Sequence, residues 1–192
     1  PEGEGWKDPD ETLGDKVAMT EVTVDAAEAI EMGRDLYHTD GNCWKCHPAF
    51  DTRENIYANA KARDVKPSFD DKMYDSKLQK ETNFVANGVA VNVLPPDYSF
   101  SPLRVSNDIE SIYKTIRGGI GGGLMPAHDN FPEEDILAIA HYVDSLIKLG
   151  KEDPAAAHKL RDDLRASLAT AWVAPVPEGE EGEDSGDTEA AD

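Results

Sequence analysis

The sequence predicts an all-α domain with polar flanks. Three observations predict it. Four stretches carry apolar residues at helical spacing. The segments between them hold breakers such as Lys66-Pro67, Asn87-Gly88 and Pro95-Pro96, with only one weak strand signal, near Asn83–Val93. The excess acid lies mostly outside the periodic region.

The chain has 192 residues, of which 39% are hydrophobic, and a formal net charge of -20. Residues 1–25 hold eight acidic side chains against two basic, and residues 178–192 hold eight acidic and no basic ones. The stretch 26–177 therefore carries only about six of the net negative charges. Such acidity argues against nucleic acid and anionic membrane surfaces as partners. It favours a partner with a basic docking surface, or a high-salt habitat. No apolar run reaches the roughly 18 residues that a membrane-spanning helix needs, so a membrane-spanning chain is not expected.

Residues 1–24 read as an acidic N-terminal arm, with Trp6 and Val17–Val24 as its only anchors. Thr23 to Tyr37 reads as a first helix, capped by Thr23 or Asp25. Ala26, Ala29, Ile30, Gly33, Leu36 and Tyr37 form its apolar face. Gly33 costs helix stability, which points to a close helix crossing. Asp51 to Arg63 fits one polar helix. Ser106 or Asn107 caps another, running to about Arg117 on Ile109, Ile112, Tyr113 and Ile116. Pro132 with Glu133, Glu134 and Asp135 opens a helix that Gly150 stops. Its inward face is Ile136, Ile139, Ala140, Val143 and Ile147. Pro154 opens a last helix to about Trp172, striped by Leu160, Leu164 and Leu168. From Pro175 onward the composition is that of a disordered acidic tail.

The chemistry is concentrated in Cys43-Trp44-Lys45-Cys46-His47. C-x-x-C-H is the attachment signature of a c-type haem. Two thiols bond the vinyl groups on one edge of the porphyrin, and the histidine that follows ligates the iron. The chain has two cysteines in all, so a zinc site would lack its second pair. A thioredoxin-like dithiol is the other reading of C-x-x-C. Five glycines fall within residues 118–123, ahead of Leu124-Met125-Pro126. They exclude a helix and let backbone approach something flat and bulky. No phosphate-loop signature accompanies them.

With those residues in place, the chain resembles class I (monohaem) cytochrome c over about residues 25–149. A helix containing glycine and tyrosine precedes C-W-K-C-H, a Gly-rich L-M-P follows, and F-P-E-E-D-I-L-A-I-A-H-Y-V-D-S-L closes the match. The resemblance implies the cytochrome c fold, one covalent haem c, His47 as proximal ligand and Met125 as distal ligand. Thioether sulfur favours ferrous iron, which supports that assignment on chemical grounds. Met19, Met32 and Met73 are rival sulfurs, with Met73 the strongest. His128 is a rival imidazole, while His38, His141 and His158 read as surface. The family also implies a proline carbonyl on the proximal imidazole, from Pro95 or Pro96 by chain order, with Pro95 taken as the candidate. Tyr98 and Arg104 are candidate donors to the haem propionates. Gly33 against Tyr142 is the expected crossing of the first and last core helices.

Pro48 departs from the glycine common after the family's motif. The span from Cys43 to Met125, 82 positions, exceeds what compact members need. The domain organisation expected is an arm at 1–24, a cytochrome c domain at 25–150, a helical extension at 151–173 and an acidic tail at 174–192. The function expected is one-electron transfer, as a carrier or as a subunit of an oxidoreductase complex, and not catalysis by side chains. A haem enzyme or gas sensor with a labile sixth ligand is the alternative. Because haem c is attached outside the cytoplasm, the chain is expected to be periplasmic, with its export signal removed.

Overall fold

A computed structural model describes residues 25–81, 91–101, 103, 106–120, 124–173 and 175. The described residues are mainly helical, with five α-helices and one two-stranded ladder. The acidic arm, nearly all of the tail, Trp6, Met19 and Arg104 lie outside the described residues.

Helix α1 (Ala26–His38) is capped by Asp25, whose carboxylate accepts from the backbone N–H of Ala27 at 2.9 Å and of Glu28 at 3.1 Å. The second of the two expected caps is thus the one used. The C-x-x-C stretch forms one 3₁₀ turn (Cys43–Lys45). Helix α2 (Arg53–Ala62) starts at Thr52, which accepts from Asn55 N–H. Strands β1 (Gln79–Glu81) and β2 (Val91–Val93) pair antiparallel with Gln79 opposite Val93 and Glu81 opposite Val91. The strand signal near Asn83–Val93 therefore locates β2, and the segment between the strands is outside the described residues.

Helix α3 (Ile109–Gly118) differs from expectation at its start. Its cap is Asp108, which accepts from Ser111 N–H at 2.8 Å, rather than Ser106 or Asn107. Three capping residue types in a row leave the choice to register. Ser106 turns its hydroxyl onto Asp108 instead, and Asn107 accepts from Leu103 N–H. Helix α4 (Glu133–Glu152) runs past Gly150, which is not a stop. A Cβ at position 150 would overlap the Ser99 carbonyl. The glycine is needed because the 97–101 turn lies directly on the helix there. Helix α5 (Pro154–Ser167) ends before Trp172, because Leu168, Ala169 and Thr170 each donate to the carbonyl three residues back and tighten the chain into turns. Trp172 still packs, edge-on against Tyr57 and Phe69.

The core lies where α1 and α3 pack on α4. Leu36, Tyr37, Ile112, Tyr113, Ile116, Ile136, Ile139 and Val143 are buried there. At the α1–α4 crossing, a Cβ on Gly33 would overlap the Ala138 carbonyl and come within 2.9 Å of the Tyr142 Cβ. Gly33 therefore meets Tyr142 as the sequence predicts, and Ala138 besides. Helix α5 shares this core through Leu164, and Leu160 and Leu168 flank it half-buried. Among the described residues no helix is long and apolar enough to cross a membrane.

Candidate functional site

The C-x-x-C-H turn is held by its own backbone. The N–H groups of Cys46 and His47 both donate to the Cys43 carbonyl, at 3.1 and 2.9 Å. Asn42 enters the turn in the left-handed region, at φ 49°, a conformation asparagine tolerates better than most residues. The insert locks the outer side. Lys77 N–H donates to the Cys46 carbonyl at 3.0 Å, and its ammonium lies 4.5 Å from the centre of the Trp44 ring while also reaching Asp70. Cys43 and Cys46 are free and half-buried, and they are not joined to each other. Burial pushes the Cys43 thiol up to about 12.

His47 is buried and fixed on both ring nitrogens. Its Nδ1 lies 3.0 Å from the Pro96 carbonyl. A carbonyl only accepts, so Nδ1 carries the proton and Nε2 presents a lone pair. Burial lowers the basicity of the ring, against the Pro96 bond and the Asp97 charge, which raise it. A neutral imidazole with Nε2 free of hydrogen is the form that ligates metal. The Tyr98 hydroxyl donates to that Nε2 at 3.1 Å, and its ring stacks on His47 with centroids 4.8 Å apart.

One sequence expectation changes here. The carbonyl on His47 is that of Pro96, not Pro95. One residue decides which carbonyl points inward, and chain order alone does not distinguish adjacent prolines. The Tyr98 hydroxyl, expected as a donor to a propionate, here donates to His47 Nε2. It is buried and held neutral, its ionisation pushed well up by desolvation. Arg104 lies outside the described residues.

The short stretch after the motif has its backbone partners supplied from three other segments, α1, the stretch around Met73, and α5. The Pro48 carbonyl accepts from the Tyr37 hydroxyl at 2.8 Å. Ala49 N–H donates to the Met73 carbonyl at 2.7 Å, and the Ala49 carbonyl accepts from Arg161 at 3.3 Å. Phe50 N–H donates to His38 Nε2 at 3.1 Å. His38 is therefore not a surface residue. Its Nδ1–H donates to the Arg34 carbonyl at 2.7 Å, and burial lowers its pKa to about 4. His141 is half-buried and His158 exposed, as expected of residues off the core.

Met125 sits on the loop between α3 and α4, half-buried against the same core as Cys43. Its carbonyl accepts from Ile120 N–H at 3.1 Å. Gly119 takes φ +67°, and a Cβ there would come within 2.8 Å of the Met125 carbonyl. Residues 121–123 are outside the described set. Of the rival ligands, Met73 is fully buried as core filling, with its carbonyl on Ala49, and Met32 packs half-buried against the core. His128 turns its Nδ1 to the Ile116 carbonyl at 3.3 Å.

Tested against a c-type haem, the donor set fits in kind. Two unpaired thiols flank one turn, the next imidazole offers Nε2, and a thioether lies on a loop packed to the same core. One feature has to give way, since the Tyr98 hydroxyl stands on the nitrogen that iron would take. Among the described residues, no group of three His, Cys, Asp or Glu side chains converges to hold a bare ion.

Sequence reasoning missed His38, Tyr37 as a donor, and Arg161. Arg161 carried a usable signal, because it lies on the stripe Ala157, Arg161, Leu164, Leu168 of α5. A charge on an apolar stripe marks a buried partner. No known protein family, curated protein or solved structure matches this chain.

Proposed function

We propose that the chain is an electron-transfer protein of the cytochrome c type, working outside the cytoplasm. In this reading Cys43 and Cys46 would hold one haem c by thioether bonds, with His47 Nε2 and the Met125 sulfur as the iron's protein ligands. The observation that carries it is the His47 Nδ1–Pro96 contact at 3.0 Å, directly after C-x-x-C. That bond sets the tautomer and ring direction a ligating histidine needs. The Gly33–Tyr142 crossing between α1 and α4 agrees with the same fold.

The bound haem would supply a one-electron couple at the iron. The chain's own part is to fix His47, keep its Nδ1 proton on Pro96, and exclude water around the ring with Tyr37, Phe50 and Tyr98. Tyr98, whose hydroxyl donates to Nε2 in this structure, would have to release that nitrogen for His47 to hold the iron. With His47 and Met125 both holding the iron, the chain would move electrons without side-chain chemistry. A dithiol oxidoreductase needs a thiolate, and a Cys43 thiol pushed up to about 12 opposes one. The acidic charge, -20 overall, favours a redox partner with a basic docking surface and a salt-sensitive encounter.

Optical spectroscopy of the exported protein tests the ligand set. The oxidised form is expected to show the weak far-red band of ferric iron bound by thioether sulfur, and Met125→Ala is expected to abolish it. Ready binding of carbon monoxide by the wild-type ferrous form would instead favour a gas sensor or haem enzyme with a labile sixth position.

A further inference from the structure

Arg161 belongs to α5, outside the stretch that resembles a cytochrome, yet it is only 1% exposed. Its guanidinium meets three separate segments beside His47. One amino group donates to the Ala49 carbonyl at 3.3 Å, two residues after the histidine. The other donates to the Tyr74 carbonyl. Nε lies 3.0 Å from the Asp97 carboxylate, one residue after Pro96, as a buried ion pair rather than an aligned hydrogen bond. The guanidinium also lies 5.2 Å from the centre of the Phe50 ring.

Asp97 is itself the organiser of its turn. One carboxylate oxygen accepts from the Ser99 N–H at 3.1 Å and hydroxyl at 2.6 Å, while the other faces Arg161. Its carbonyl accepts from Phe100 and Ser101. The turn thus has two anchors, Arg161 on its carboxylate and Gly150 under Ser99. What it displays between them is the Pro96 carbonyl and Tyr98, the two groups on the His47 ring.

A buried ion pair is a poor source of stability, since well-packed apolar residues of similar volume often do as well. The planar fork of arginine offers what they cannot, directed bonds to two carbonyls, Ala49 and Tyr74, with its charge held against Asp97 at the same time. We infer that Arg161 is a positioning residue for the proximal imidazole. Through Asp97 it holds the Pro96 carbonyl on Nδ1–H and so sets how basic the ligating nitrogen is. The inference rests on His47 being the iron ligand, as proposed above. A tighter Nδ1 bond makes the imidazole more basic and favours ferric iron. Loosening it favours ferrous iron and raises the reduction potential.

The test compares Arg161→Met and Asp97→Asn holoproteins with wild type, with Lys159→Met on the exposed side of α5 as control. Two readouts are taken, the haem reduction potential and the hydrogen-exchange rate of the His47 Nδ1–H by NMR. Positioning predicts that both variants raise the potential and speed the exchange. The expected change is about tenfold in the ferrous-to-ferric ratio at the wild-type midpoint, which is 59 mV for one electron. A direct field effect predicts opposite signs, because one variant deletes a cation and the other an anion. A merely structural role predicts lowered melting temperatures with potential and exchange unchanged. Either of those results overturns the inference. If Arg161→Met fails to fold, Arg161→Lys keeps the charge without the fork and is expected to shift both readouts part of the way. A wild-type protein that carries no haem gives no potential at all, which overturns the proposed function and this inference with it, whereas a haem-bearing wild type with unshifted variants overturns this inference alone.

Discussion

The two flanks of the proposed haem site are built differently. On the His47 flank, side chains from distant parts of the chain hold the backbone: Tyr37 on Pro48, His38 on Phe50, Arg161 on Ala49. On the Met125 flank, the described contacts are mainly backbone to backbone, with His128 Nδ1 on the Ile116 carbonyl as a local side-chain contact. Ile120 reaches the Met125 carbonyl, and His128 N–H reaches Ile116 and Arg117. The first flank is over-determined and lies among fully buried groups. The second is a loop tethered at its base.

The comparison breaks most sharply at the helix crossing behind the His47 flank. Gly33→Ala is expected to cost on the order of 3 kcal/mol, because the added methyl meets the Ala138 backbone, which cannot turn aside. Chemical denaturation monitored by circular dichroism measures it. An unchanged midpoint would mean that α1 and α4 do not touch there.

Acid should attack the same flank. His38 has a pKa of about 4 when folded, against about 6.5 unfolded. The unfolded chain takes the proton first as pH falls. The stability contributed by neutral His38 is therefore complete above pH 6.5 and is lost progressively toward pH 4, a total of roughly 3 kcal/mol. His38→Gln keeps a donor and an acceptor without the titration. It is expected to flatten the pH dependence in that window, measured as denaturation midpoint against pH.

Smaller effects belong to the Met125 flank. Gly119→Ala forces a side chain into φ +67° and toward Ala127 N at 2.7 Å, for about 2 kcal/mol. Met125→Ala removes a half-buried side chain from a loop, and about 1 kcal/mol or less is expected in the fold. The optical spectrum should nevertheless change. A large stability loss at Met125 with an unaltered spectrum would reverse the roles assigned to the two flanks.

Much of this was legible in the residues, for identifiable reasons. The apolar stripes of α1 and α4, the Asp25 cap and the Gly33 crossing follow from local spacing. C-x-x-C-H needs only five adjacent residues. What failed to show depended on distant contacts. Gly150 after an apolar stripe reads as a helix stop until Ser99 is known to lie on it. His38 looks like an exposed helix end until the Phe50 backbone, 12 residues on, requires its lone pair. Arg161 waits on Ala49, 112 residues earlier. Pro95 and Pro96 are indistinguishable until a turn selects one carbonyl.

The central claim is that Cys43 and Cys46 carry one haem by thioether bonds. Intact mass under denaturing conditions tests it most directly, on protein exported from cells that also mature a known c-type cytochrome as control. The expected mass is that of the chain plus one haem, falling to the bare chain in a variant with Cys43→Ser and Cys46→Ser together. A wild-type chain at its bare mass with two alkylatable thiols, beside a control that carries its haem, would contradict the account.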